Sequence, residues 1–181
     1  DGNHTITIEL TDNAGNVYNS SNDSKIGTIP FIADITPPTI SLSKPDNNSY
    51  VNGEISVAGT AGDNIGLSKV VYYIDGTVSG ETSVSGTSAS FSKTLNTASL
   101  SEGKHTLSVV AVDRAGNESA AAKKTFTVDH TYPVNNIEIT GSISGGWYYG
   151  PVTITSAAQD TYLDKQWVDA GFGQKRMLTQ F

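Results

Sequence analysis

The side chains in this sequence best placed to do chemistry are carboxylates at turns. Asp12-Asn-Ala-Gly-Asn16 and Asp113-Arg-Ala-Gly-Asn117 each stand between two strand-like runs. Gly in such a stretch can take positive φ, and Asp and Asn side chains hydrogen-bond the turn backbone, so both pentapeptides read first as hairpin turns. The same acidic heads can also offer oxygen to a hard cation. They are too sparse for an EF-hand, whose loop of about twelve residues needs alternating oxygen ligands and a terminal Glu. Three histidines invite a catalytic reading, yet His4 and His105 sit at corresponding places just before strands, where a part in the turn or strand start is expected. His130 has no neighbouring Ser, Cys or carboxylate arrangement of the nucleophilic kind, so no catalytic residue is assigned and the chain is read as a non-enzyme. Trp147, Tyr148, Tyr149 and Trp167 offer a sugar-stacking platform on paper. Trp167 falls where a third strand should run, and a core Trp there is a sandwich hallmark, so core or edge packing is the expectation.

The elements that must position these groups read as strands. Ile6, Ile8 and Leu10 alternate with Thr5, Thr7, Glu9 and Thr11, which is the pattern of a strand with one buried face. Further strands are expected at Thr39 to Ser43, Glu54 to Thr60, Leu67 to Ile74, Ser88 to Leu95 and Lys124 to Val128, with Leu107, Val109 and Ala111 as an inward set. No window repeats apolar residues at helical spacing, and almost no helix is expected. About seven short antiparallel strands in roughly 95 residues predict a two-sheet Greek-key sandwich.

Composition narrows the function classes. Net charge is −7 and only 16% of the 181 residues are charged, which argues against a nucleic-acid partner. There are no cysteines, so disulfides and thiolate metal sites are excluded. No apolar run approaches the roughly 18 to 20 residues of a membrane-spanning helix, so no membrane insertion of this segment is expected. Asp1-Gly2-Asn3-His4 has neither an initiating Met nor a signal-peptide core, and a processed or excised piece is the expectation.

The chain also repeats itself. Asp1 to Asn16 recurs as Glu102 to Asn117, 101 residues later, and Tyr50 to Asp63 recurs as Trp147 to Asp160, 97 residues later. A period near one hundred residues is one sandwich domain. Residues 1–34 are thus read as the last strands of one domain, 35–130 as a complete domain, and 131–181 as the first strands of a third. The segments Gly103 to Asn117, Thr36-Pro-Pro-Thr-Ile-Ser41 and Ala61 to Val70 together resemble the bacterial immunoglobulin-like repeat family. The resemblance implies a seven-strand immunoglobulin-like sandwich, repeated along secreted or surface-attached proteins such as adhesins or set beside catalytic modules of extracellular enzymes, and it implies no chemistry. Residues 169–181 depart from the pattern.

Two functions are weighed. One is a stalk or spacer of a bacterial surface or secreted protein, whose partners are neighbouring repeats and a surface glycan or protein. The other is an accessory, carbohydrate-binding module of an extracellular enzyme. The two terminal halves are complementary, which allows head-to-tail completion between molecules. Sandwich topology brings the linker into the first strand, the loop between the second and third strands, and the last hairpin turn to one pole. Asp34, Asp63 and Asp113 therefore converge at the first junction, with Asp1 approaching from the preceding domain; Asp129 and Asp160 are the counterparts at the second. Calcium, a hard cation with about six to eight oxygen ligands, would relieve the repulsion among them; the alternative is that each Asp caps its own turn and faces water.

Overall fold

The computed structural model describes residues 1–18, 29–169 and 175–177, of which residues 167–169 and 175–177 are described as backbone alone. Among them there is no helix, as the absent helical period predicts. Contacts divide the chain into Asp1–Val128 and Asp129–Phe181. The first unit opens with β1 (Gly2–Ile6), β2 (Leu10–Thr11), β3 (Val17–Tyr18) and β4 (Ile29–Ala33), in which β1 pairs β4 and β2 pairs β3, all antiparallel.

The sandwich follows in eight strands: β5 (Thr39–Lys44), β6 (Ser49–Val51), β7 (Glu54–Gly62), β8 (Leu67–Ile74), β9 (Thr77–Ser83), β10 (Ser88–Asn96), β11 (Gly103–Asp113) and β12 (Ala122–Val128). One sheet has the order β10-β7-β5 and the other β6-β12-β11-β8-β9. The sheet order crosses between hairpins in the manner of an immunoglobulin-like sandwich. The short β6, which the sequence pattern does not announce, lets the opening strand change sheets: β5 pairs β7, and β6 runs parallel to β12.

Alternation along the strands makes the core. Ile55, Val57, Phe91 and Leu95 from one sheet meet Val70, Tyr72, Leu107, Val109, Phe126 and Val128 from the other. Tyr72 and Phe91 pack edge to face with centroids 6.1 Å apart. Gly59 is required on the inner face of β7: a Cβ there would fall on the Ser41 carbonyl oxygen and lie 2.7 Å from Phe91 Cζ.

The second unit is the hairpin of β13 (Val134–Ser144) and β14 (Trp147–Gln159), followed by the pair β15 (Trp167–Asp169) and β16 (Lys175–Met177). Two expectations fail in the flanking strands. Ile6, Ile8 and Leu10, read as an inward-facing set, are 49%, 44% and 59% exposed, and Trp147, Tyr148 and Tyr149, expected in a core or edge, are also exposed. The physical reason is common to both: among the described residues, no second sheet of the same unit covers the apolar face of either pair, and alternation creates a core only when a facing layer covers it. The Trp167 side chain and most of residues 169–181 lie outside the described residues.

Candidate functional site: an acidic pole

The antiparallel ladder fixes which loops share a pole. Thr39 at the start of β5 pairs Gly62 at the end of β7, which pairs Ser88 at the start of β10. Asp113, ending β11, pairs Leu67 at the start of β8. The linker at Asp34, the loop from Asp63 to Gly66, and the turn from Asp113 to Asn117 therefore lie together. One carboxylate oxygen from each of Asp34, Asp63 and Asp113 falls within 4.8 Å of the other two.

Each carboxylate is anchored by its own turn. Asp63 Oδ2 accepts the amides of Ile65 and Gly66 at 2.8 and 2.6 Å, while its Oδ1 is buried with no hydrogen-bond partner. Asp34 Oδ1 accepts the Thr36 amide at 3.2 Å. Asp113, 2% exposed, accepts the Asn117 amide at Oδ1 and the Asn117 side-chain amide at Oδ2, at 2.8 and 2.7 Å. Asn117 Nδ2 also donates to the Asp34 carbonyl at 3.1 Å, tying the linker to the hairpin turn. Burial pushes the Asp113 carboxyl up, but the Asn117 side chain and amide and the amides of Gly116 and Ala115 outweigh it and hold Asp113 below the ordinary carboxylate range.

Asp1 stands at the edge of this cluster. Its Oδ1 accepts the Ile35 amide at 2.8 Å, and its Oδ2 accepts the Thr36 hydroxyl and, at 3.3 Å, the Asn64 side-chain amide. None of the three clustered carboxylates forms an ion pair among the described residues. Like charges about 4 Å apart repel by roughly 1 kcal/mol in water and about 4 kcal/mol at an effective dielectric near 20, so the pole stores repulsion that a cation would reverse.

In the second unit Asp129 and Asp160 line one surface concavity together with Asp164 and Lys165. Their turns repeat those of the first unit. Asp129 Oδ1 accepts the Thr131 amide as Asp34 accepts Thr36, and Asp160 Oδ1 accepts the Tyr162 amide while its Oδ2 is buried without a partner. Sequence reasoning named Asn117 as a turn residue but not its bond to the linker, and it did not single out Asp164. The signal for Asn117 was its fixed place in the repeated turn: Asp12 and Asn16 make the same bonds, at 2.8 and 2.7 Å.

Two packed sheets in this order, antiparallel except where β6 joins β12, define the class as an immunoglobulin-like β-sandwich. Residues 38–109 match the family model of the bacterial Ig domain. No curated protein matches the chain. Among solved structures, the chain is similar to fibronectin(III)-like modules of CbhA from Clostridium thermocellum, at 24% identity and TM-score 0.44, covering 70% of this chain and 62% of that one. It is also similar to a lytic polysaccharide monooxygenase from Jonesia denitrificans (19% identity, TM-score 0.38, 48% and 61% covered). A third is the CARDB domain of the PF1109 protein from Pyrococcus furiosus, solved with di-metal ions (21%, 0.34, 51% and 90%). The chain spans about three fifths of the first two structures' length.

Proposed function

We propose that this chain is a non-catalytic segment of an extracellular stalk or spacer, built from tandem Ig-like domains whose junctions are stiffened by calcium. In this reading residues 1–34 and 131–181 belong to neighbouring domains, which are the segment's first partners, and a surface glycan or protein is engaged elsewhere along the array. The observation that carries the calcium assignment is the meeting of Asp34, Asp63 and Asp113 with an unpartnered buried oxygen on Asp63. All donors are oxygen, which suits a hard cation, and oxygens within 4.8 Å of one another can share one ion through bonds of about 2.4 Å. Asp34 lies in the linker, so an ion held there fixes the linker to two loops of the complete domain.

The expected outcome is a higher melting temperature for residues 1–130 in millimolar calcium than in chelator, with Asp63→Ala abolishing the difference; binding at a hundredfold excess over Kd adds about 2.7 kcal/mol. An unchanged melting temperature in the parent protein removes the calcium assignment. Small-angle scattering from a protein of several repeats should report a rod, and a compact particle counts against the stalk. The second reading, an accessory module of an extracellular carbohydrate-active enzyme, draws on the exposure of Trp147 at 80% and Tyr149 at 62%. A glycan array without binding, together with lower stability in Trp147→Ala, removes it.

A further inference from the structure

His105 lies near the start of β11, at the end of that strand opposite Asp113, and is 7% exposed. Its ring stacks on Phe126 with centroids 5.7 Å apart. Each ring nitrogen faces an acceptor: Nδ1 is 2.5 Å from Asp75 Oδ2, and Nε2 is 2.9 Å from the Ser101 carbonyl oxygen. A neutral imidazole has one N–H and serves one of these acceptors, whereas an imidazolium serves both. Asp75 is not free to swing aside. It and Gly76 form a two-residue hairpin turn with φ of 48° and 82°, its Oδ1 accepts the Thr106 amide at 2.8 Å, and its own amide donates to the Thr106 carbonyl at 2.9 Å.

We propose that His105, Asp75 and Ser101 form a proton-operated latch: the doubly protonated ring bonds both the β8–β9 turn and the loop before β11, and loss of one proton leaves it holding only one of them. The titratable groups on the surrounding elements are Asp75 on the turn, Tyr73 on β8, Glu102 and Lys104 beside His105 in sequence, and Lys123 and Lys124 on β12. Both ring nitrogens are taken by Asp75 and Ser101. Burial lowers the His105 pKa, but the hydrogen bond to Asp75, the Ser101 carbonyl and the Asp75 charge outweigh it and raise His105 above its ordinary value. Burial likewise raises Asp75, and the bonds from His105 and the Thr106 amide override it and hold Asp75 below the ordinary range.

The linkage signs follow. The His105 contribution is fully present below its unfolded pKa of about 6.5 and is lost as pH rises through the higher folded value. The Asp75 contribution is present above about 3.9 and is lost as pH falls through the depressed folded value. The latch is therefore strongest in mildly acidic solution, between those two limits.

An NMR titration of the full chain tests this directly, with the ring of exposed His4 in the same spectra. His105 should show both ring nitrogens protonated near pH 6 and a midpoint above about 6.5. A midpoint at or below that value, or one unprotonated ring nitrogen near pH 6, overturns the proposal. The melting temperature should fall between about pH 6 and pH 9, and His105→Gln, which donates to one acceptor only, should flatten that profile. A slope unchanged in His105→Gln also overturns it. Should that variant fail to fold, Asp75→Asn must lower the His105 midpoint, and an unmoved midpoint is fatal to the latch.

Discussion

The hairpin of β1 and β4 and the hairpin of β11 and β12 carry the same pairing in different surroundings. Gly2 opposes Ala33 and His4 opposes Phe31; in the sandwich Gly103 opposes Val128 and His105 opposes Phe126. Even the ring contact is shared, since His4 stacks on Phe31 at 5.4 Å as His105 does on Phe126. Yet Leu107, Val109 and Ala111 are wholly buried, while Ile6, Ile8 and Leu10 are about half exposed. Strand pairing and register are thus local properties of these sequences, and the core is not. The roughly 1.5–3 kcal/mol available from burying each large apolar side chain is realised only where the β10-β7-β5 sheet lies across the inner face.

The sharpest way to break the comparison is to truncate the same ring in both hairpins. Phe126→Ala removes a fully buried side chain and is expected to cost about 3–5 kcal/mol, whereas Phe31→Ala, at 44% exposure, should cost less than about 1 kcal/mol. Denaturant midpoints measured on the full chain decide it. Equal costs would mean that the first hairpin is also part of a covered core.

A smaller effect is expected from adding a methyl group. Gly59→Ala forces β5 away from β7 or displaces Phe91, and should destabilise the sandwich by about 1–3 kcal/mol. Gly2→Ala meets no atom within 4 Å, and its cost is the backbone strain of φ 113° alone. A smaller loss for Gly59→Ala than for Gly2→Ala would show that β5, β7 and β10 lie less tightly together than the Ser41 and Phe91 contacts require.

Much of this was legible because alternation survives in central strands. β8 runs from Leu67 to Ile74 as the pattern reads it: Val70, Tyr72 and Ile74 are buried at every second place, with Leu67 and Val71 buried besides. β9, Thr77–Ser83, was missed: it is an edge strand whose residues stay largely exposed, so selection for burial leaves no period in it. The meeting of Asp34, Asp63 and Asp113 followed from strand order, because antiparallel neighbours must place those loops at one end. Asp75 could not be found that way. Its role depends on a positive-φ turn and a partner 30 residues on, and neither leaves a spacing that the eye can test.

The finest comparison is between Asp113 and Asp12, which hold identical turns in unlike settings. Each accepts the amide and side-chain amide of the Asn four residues on, and each is held below the ordinary carboxylate range: Asp12 chiefly by the Asn16 side chain, Asp113 by Asn117 against the opposing effect of burial. Both turns therefore stabilise above the ordinary carboxylate pKa and lose that contribution as pH falls through the depressed folded value. The settings separate them, because Asp113 faces Asp34 and Asp63 while Asp12 is exposed. In chelator, Asp113→Ala strands the Asn117 donors but also relieves repulsion at the pole, so the two effects partly cancel and a loss of about 1 kcal/mol is expected. In the proposed site the same substitution also removes a ligand when calcium is present, and the loss should then grow. Asp12→Ala should leave the melting temperature of the β5–β12 sandwich unchanged in either solution. Four melts at neutral pH, two variants each with calcium and with chelator, read the difference; an Asp113→Ala loss that is equal in both solutions would leave Asp113 a turn residue like Asp12 and take it out of the proposed site.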